Sequence, residues 1–266
     1  MRPRVMGIVN VTPDSFSDGG RLADTAAAVD HALTLVEQGA DILDIGGEST
    51  RPGADPVPAA EEMARVVPVI AGVRARWAGP ISIDTMKSDV ARAAVEAGAT
   101  IWNDVSALRF RFDSPSTAAD LGCTVVLMHM MGDPRTMQTA PAYDDVVAEV
   151  CAHLAERASA AEAAGVARAR IWLDPGIGFG KTPAHNLALT RHLGTLVALG
   201  YPVLYGASRK RTIQALDPTA SDPLDRLGGS LALALEAARN GAGIIRVHDV
   251  RETVQALAVQ TALLDA

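Results

Sequence analysis

The chain has 266 residues, of which 48% are hydrophobic and only 4% aromatic. That suits one α/β barrel of about 250 residues whose core is filled by Ala, Val, Leu and Ile. A formal net charge of −7 argues against a general nucleic-acid-binding surface, though not against a local basic pocket. Two cysteines, Cys123 and Cys151, are too few for a disulfide framework and fit a reducing compartment. The apolar run Val5–Val9 is too short for a secretory signal, and no segment reaches the roughly 18 apolar residues that span a bilayer, so a cytoplasmic protein is expected.

Taken in chain order, short apolar runs stop one after another at a polar residue. Val5–Val9 stops at Asn10, Ile42–Ile45 at the segment Gly46–Gly53, Ile81–Ile83 at Asp84 and Thr100–Trp102 at Asn103. Val125–Met128 stops at His129, Ile171–Leu173 at Asp174, Val203–Tyr205 at Ser208-Arg209-Lys210, and Ile244-Ile245 at Arg246-Val247-His248. Apolar runs bounded by turn signals read as strands buried on both faces. Between them lie amphipathic stretches, which predict helices over 24–38 (with Asp24 as N-cap) and near 59–77, 86–97, 143–164, 184–199, 224–240 and 250–264, and a shorter one over 116–121. Gly39, Gly79, Gly98, Gly122, Gly165, Gly200 and Gly241 close the segments before the later strands, and most fit a helix C′ position. The alternation predicts a single domain over 1–266, a parallel (β/α)8 TIM barrel with its polar strand ends on one face. An open doubly wound sheet is the structural rival; eight runs and the lack of a dinucleotide fingerprint favour closure.

Two loops on that face are chemically rich. The first, Asn10-Val-Thr-Pro-Asp-Ser-Phe-Ser-Asp-Gly-Gly20, crowds hydroxyls, carboxylates and one aromatic ring; its bland reading is a polar turn closed by Gly-Gly. The second, Gly46-Gly-Glu-Ser-Thr-Arg-Pro-Gly53, combines glycines that admit a ligand close to the backbone with Thr50 and Arg51, donors suited to phosphate oxygens. Pro52 stiffens the turn, and Glu48 is expected to orient a neighbour.

The ordered segments GIVNVTPDSFSDGG, DIGGESTRPG, SIDT, NDVS, LMHM, DPGIGFGKT, GASRK and RVHDV resemble those of dihydropteroate synthases, from Met6 to about Val254. The resemblance implies an enzyme of folate biosynthesis, a transferase that joins p-aminobenzoate to 6-hydroxymethyl-7,8-dihydropterin pyrophosphate with Mg²⁺ and is open to sulfonamides. It implies a pterin clamp of Asp84, Asn103, Asp174 and Lys210. It implies a pyrophosphate site of Asn10, Thr50, Arg51, Arg246 and His248, with Asn10 near the metal. It places p-aminobenzoate among Thr12, Pro13, Phe16, Pro52, Phe179 and Ser208, with Lys210 reaching both substrates. Asp14, Arg51 and Lys210 are the expected catalytic groups, Asp14 steadying a developing pterin cation. The family further implies a homodimer, small-molecule substrates, and no nucleic-acid or membrane partner.

The chemistry of these residue types agrees. A carboxylate accepts two parallel N–H bonds from a pterin edge, and an Asn both donates and accepts. Arg246 and His248 are two apart and should point the same way. A lone Asn carbonyl is a weak Mg²⁺ site, so metal binding should depend on pyrophosphate. Asp104 should face away from the clamp, and Asp249 should start the last helix. Ser208-Arg209-Lys210 should open a helix N-terminus suited to the benzoate carboxylate, with Arg209 and Arg211 open to a reading as solvated charges. The P-loop look-alike at Gly176–Thr182 fails because Pro175 stands where the first glycine must be. His129 has no ligand-spaced neighbour and receives no role. The segment Leu108–Phe112 and the stretch Arg211–Gln214 depart from the family pattern. A non-catalytic pterin-binding paralogue and the pterin module of a corrinoid methyltransferase are the alternatives.

Overall fold

The structure is a computed structural model that describes residues 2–12, 20–49, 55–132 and 136–266, with the backbone alone for 20–24. Strands β1 (Arg4–Asn10), β2 (Ile42–Gly46), β3 (Ile81–Asp84), β4 (Ile101–Asp104), β5 (Thr124–Met128), β6 (Ile171–Asp174), β7 (Leu204–Tyr205) and β8 (Ile244–Val247) form one sheet. Its order is β6-β5-β4-β3-β2-β1-β8-β7, every pairing is parallel, and a parallel bridge from Leu173 to Val203 joins the two ends. The predicted (β/α)8 barrel is what forms.

Helices α1 (Gly20–Glu37), α2 (Ala59–Arg74), α3 (Ser88–Glu96), α4 (Ser114–Leu121) and α5 (Val146–Ala163) follow the first five strands. After β6 come α6 (Pro183–Arg191) and α7 (Leu193–Val197), after β7 come α8 (Arg211–Leu216) and α9 (Leu227–Arg239), and α10 (Val250–Asp265) ends the chain. Two expectations are corrected. Asp24 lies inside α1, which starts at Gly20, so it is not an N-cap. The stretch 184–199 is two helices broken at His192. The helix expected to open after Ser208-Arg209-Lys210 is the six-residue α8. Six of the seven punctuating glycines have positive φ, but Gly79 does not. It precedes Pro80, which favours extended backbone, and a Cβ there would sit 2.0 Å from the Trp77 ring.

Period-two alternation splits each strand between two cores. One set of side chains packs outward on the helices: Val5, Val9, Leu43, Ile45, Ile81, Ile83, Trp102, Val125, Leu127, Ile171 and Leu173. The other set points into the barrel, where Met6, Ile42, Ile101, Val126, Trp172, Leu204 and Ile244 form a separate apolar layer. Arg4 lies over the Trp172 ring at 4.5 Å from its centroid. Two residues further along the same faces the layer turns polar: Asp44, Asp84, Asn103, Asp174 and Arg246. The strand register puts Asp84 beside Asn103 and Gly46 beside Asp84. One apolar floor thus carries one ring of charge, at the C-terminal end where barrel active sites sit.

Candidate active site

Asp84, Asn103, Asp174, Phe179, Lys210 and Arg246 line a single cleft. The expected clamp residues therefore do meet, each delivered by a different strand end. Asp174 accepts from the Gly176 amide at 2.7 Å, which fixes the carboxylate against the turn after β6. Lys210 donates to the Ile177 carbonyl and stands 4.7 Å from the Phe179 ring centroid. A cation over an aromatic face is attracted by the ring quadrupole.

Arg246 differs from expectation. Its Nε donates to Asp44 at 2.6 Å and its second terminal nitrogen to Asp84 at 2.8 Å. The guanidinium is therefore held in the wall of the pterin cluster by two carboxylates. Asp44 is fully buried and also accepts from Asn103 Nδ2 at 3.3 Å. Asp44 is the residue that sequence reasoning missed: it was absorbed into the apolar run Ile42–Ile45. The signal that finds it is the alternation Ile42, Asp44, Gly46, which places Asp44 on the same interior face as Asp84.

Charge in this dry layer is finely set. Burial pushes the Asp84 carboxyl up to about 7, against the pull of Arg246 and with the neighbouring Asp44 charge adding to the rise. Burial also raises Asp174, which Lys210 opposes. Lys210 is brought down to about 8 by burial, with Asp174 holding it up. Burial works against the charge on Arg246 too, but Asp44 and Asp84 outweigh it and keep its pKa above the ordinary arginine range. One oxygen each of Asp44 and Asp84 is buried with no hydrogen-bond partner. Burying an acceptor unpaired is costly; Asp84 lines the cleft, where a ligand can approach, whereas Asp44 is fully buried behind it.

Asn10 is exposed at the end of β1, paired with Gly46, and His248 follows the neighbouring strand β8. Ser208 Oγ lies 3.0 Å from His248 Nδ1 and accepts from the His248 amide at 3.2 Å, so it orients that histidine. Arg209 is not a solvated charge: it pairs with Asp249 at the start of α10, and its amide donates to Ser230. The segment beyond Ser208 opens only the short α8, with Lys210 at its N-cap. Asp104 faces away as expected, accepting from the Ser106 and Leu108 amides. Glu48 does orient a neighbour, accepting from Lys87 at 2.7 Å while Lys87 also bonds Glu62. Thr12 lies within the described residues, whereas Pro13, Asp14, Phe16, Thr50, Arg51 and Pro52 lie outside them.

His129 gains surroundings that the sequence did not announce. Its ring meets His153 edge-on at 4.9 Å between centroids, and Lys181 Nζ lies 2.9 Å from its Nδ1. Arg109, from the atypical 108–112 segment, lines a wider solvent-open hollow with His129, Tyr143, Glu149, His153 and Glu156.

The chain matches the model of the family described as pterin binding enzyme over residues 6–248. It is 48% identical to the dihydropteroate synthase of Escherichia coli, over 99% of this chain and 93% of that enzyme. Its fold superposes on the Xanthomonas albilineans dihydropteroate synthase solved with 4-aminobenzoic acid, at a TM-score of 0.94 and 55% identity, covering 100% of this chain and 94% of that one. The same enzyme solved in complex with 7,8-dihydropteroate gives a TM-score of 0.90 and 52% identity, covering 100% and 95%. The Yersinia pestis enzyme, in a sulfonamide drug complex, gives 0.94 and 44%, covering 100% and 95%. With the barrel, the strand-end cluster and near full-length identity in agreement, the chain belongs to the pterin-binding enzyme family, among the dihydropteroate synthases.

Proposed function

We propose that the chain condenses 6-hydroxymethyl-7,8-dihydropterin pyrophosphate with p-aminobenzoate to give 7,8-dihydropteroate and pyrophosphate. The observation that carries this reading is the polar layer in the barrel mouth, where Asp84, with one unpaired carboxylate oxygen, lines one cleft with Asn103, Asp174 and Lys210. A pterin edge offers amino and ring N–H donors next to a carbonyl and ring nitrogens, the complement of that set. Asp84, Asn103 and Asp174 take the donors, and Lys210 donates to the carbonyl side. Relatives solved with 4-aminobenzoic acid and with 7,8-dihydropteroate support both substrates.

In this reading the carbon–oxygen bond to pyrophosphate breaks first, its electron pair leaving with the pyrophosphate oxygen. The exocyclic carbon, its charge spread into the ring, takes the lone pair of the aniline nitrogen, which then gives up a proton. Thr50, Arg51 and His248 hold the leaving group, with Arg246 adding positive charge from the cleft wall. Asp14 steadies the cation, the kind of electrostatic aid that dominates such sites. Phe179, Ser208, Pro52, Thr12, Pro13 and Phe16 bound the p-aminobenzoate slot, which Lys210 shares along its alkyl stem.

Mg²⁺ fits this chain as a companion of pyrophosphate. Among the described residues no cluster of three His, Cys, Asp or Glu could hold a metal, and the single amide oxygen of Asn10 suits an ion that keeps its waters and borrows phosphate oxygens. The ion supplies charge neutralisation on the leaving group when bound.

The test is pyrophosphate release from the pterin pyrophosphate with Mg²⁺, with and without p-aminobenzoate. Release that depends on p-aminobenzoate is expected; folded protein that binds the pterin without releasing pyrophosphate would favour a non-catalytic paralogue, and methyl transfer from a methylated folate the corrinoid-linked module. We further propose a cytoplasmic homodimer. Val259, Leu263 and Leu264 of the outer helix α10 are exposed, and no helix among the described residues is long and apolar enough to cross a membrane. Light scattering that gives a monomer mass would reject the dimer.

A further inference from the structure

The loop after β6 has a partner for each of five successive carbonyls. Gly176 accepts from the Phe179 amide at 3.0 Å, a turn with Gly178 at φ 84. Ile177 accepts from Lys210, Gly178 from Gln138, Phe179 from Lys181 at 2.9 Å, and Gly180 from Tyr143 at 2.8 Å. Gly178 also donates its amide to Asn186, whose own amide donates to Thr212 on α8 at 2.8 Å. The loop is therefore tied on one side to the Lys210 segment and on the other to the chain that leaves β5.

Lys181 is the buried node of this arrangement, 3% exposed. Its ammonium has three protons and three acceptors: Phe179 O at 2.9 Å, His129 Nδ1 at 2.9 Å and His129 O at 3.3 Å. None of the three is charged; burial brings the Lys181 amine down to about 7, with the Asp174 carboxylate holding it up. The backbones of the two loops touch at the same place. A Cβ on Gly176 would lie 1.9 Å from the His129 carbonyl oxygen, and one on Gly180 would lie 2.8 Å from Met131 O. The His129 amide donates to Asp174 O at 3.0 Å, so the same histidine is also fastened to the strand that carries the clamp.

We infer that Lys181, seated on His129, is a positioning residue that fixes Phe179 and with it the p-aminobenzoate side of the Lys210 cleft. This gives the fifth strand end the role it lacked. Asp84, Asn103, Asp174 and Arg246 line the cleft; His129 meets the loop that carries Phe179. Burial keeps the His129 ring neutral, its pKa driven down to about 2, so Nδ1 is available as the acceptor that Lys181 needs. The inference rests on the proposed condensation.

Its test is steady-state kinetics on the full chain with both substrates, for Lys181→Met, His129→Leu and His129→Asn. An Asn side chain places Oδ1 near where Nδ1 stood, so it keeps the acceptor that Leu removes. Lys181→Met and His129→Leu should raise the KM for p-aminobenzoate about tenfold, since small misplacements of a positioning group carry large effects. The KM for the pterin pyrophosphate should stay within about twofold, because the side chains removed touch the Phe179 loop, while the His129 tie to Asp174 runs through its backbone amide and survives substitution. His129→Asn should stay close to wild type. Equal rises in both KM values, no rise in either, or His129→Asn as impaired as His129→Leu would overturn the inference. If Lys181→Met does not fold, the two His129 variants, which keep Lys181, decide it. An inactive wild-type protein would instead sink the proposed condensation, and this inference with it.

Discussion

Arg246→Met tests the charge layer directly. The substitution keeps a long apolar stem and deletes a guanidinium that bonds Asp44 at 2.6 Å and Asp84 at 2.8 Å. Two buried carboxylates are then left facing each other without a counter-ion. Removing one partner of a buried ion pair costs about 3–5 kcal/mol. The cost has a pH signature. Asp84 already sits near 7, raised by burial and held down only by Arg246. Without the arginine, the carboxylate pair binds an extra proton in the folded state. A carboxyl whose folded pKa lies above its unfolded value stabilises at low pH and loses that stability as pH rises through the folded pKa. The penalty relative to wild type should therefore grow by about 1.4 kcal/mol per pH unit for each extra proton bound. Wild-type Asp84 itself gives up its proton near pH 7, so the extra proton is bound mainly above that pH and the penalty grows by about 1.4 kcal/mol between pH 6 and pH 8. Urea unfolding at both pH values measures it. A penalty equal at pH 6 and pH 8 would refute the reasoning, as would an Arg246→Met, Asp44→Asn double variant no more stable than the single one at pH 8.

Other outcomes follow from the same structure. Asp174→Ala should remove charge-assisted bonds to the pterin, weakening pterin binding by about 3 kcal/mol, roughly 100-fold, in calorimetry; unchanged affinity would remove Asp174 from the clamp. Gly176→Ala should be poorly folded or inactive, since Gly176 has φ 67 and a Cβ there would lie 1.9 Å from the His129 carbonyl oxygen; a wild-type melting curve with full activity would contradict this. Asp145→Ala should cost about 1 kcal/mol in a thermal melt, because Asp145 caps α5 by accepting from the Val147 and Ala148 amides. A sulfonamide should raise the apparent KM for p-aminobenzoate without lowering the maximal rate, and a non-competitive pattern would place it elsewhere.

The barrel was legible because a parallel strand buried on both faces has to be apolar until it reaches the active rim. Asp84, Asn103 and Asp174 stand at that limit, so the change from apolar to polar marks both strand end and site. Asp44 was not legible by the same rule, because it sits one residue before the end of its apolar run, with Ile45 after it facing the helices. Only the two-residue alternation along β2 separates them. The His129–Lys181 contact joins residues 52 apart, and no local pattern encodes a meeting of two loops. Residue type and strand end alone mark Arg246 as an anion binder. Its two carboxylate partners come from β2 and β3, on the other side of β1, and appear only once the barrel closes.

The apolar floor beneath the charged ring has one more consequence. Met6, Ile42, Ile101, Val126, Trp172, Leu204 and Ile244 seal the barrel below the clamp, so Asp44, Asp84 and Asp174 have no solvent behind them to absorb an added charge. An uncharged heterocycle rich in N–H groups can settle there with no counter-ion of its own. A ring bearing net charge would upset a layer in which Arg246 and Lys210 already offset the carboxylates, and a bulkier neutral ring would meet a wall without give. The sealed barrel thus sorts its guests by net charge before any individual hydrogen bond distinguishes one ring from another.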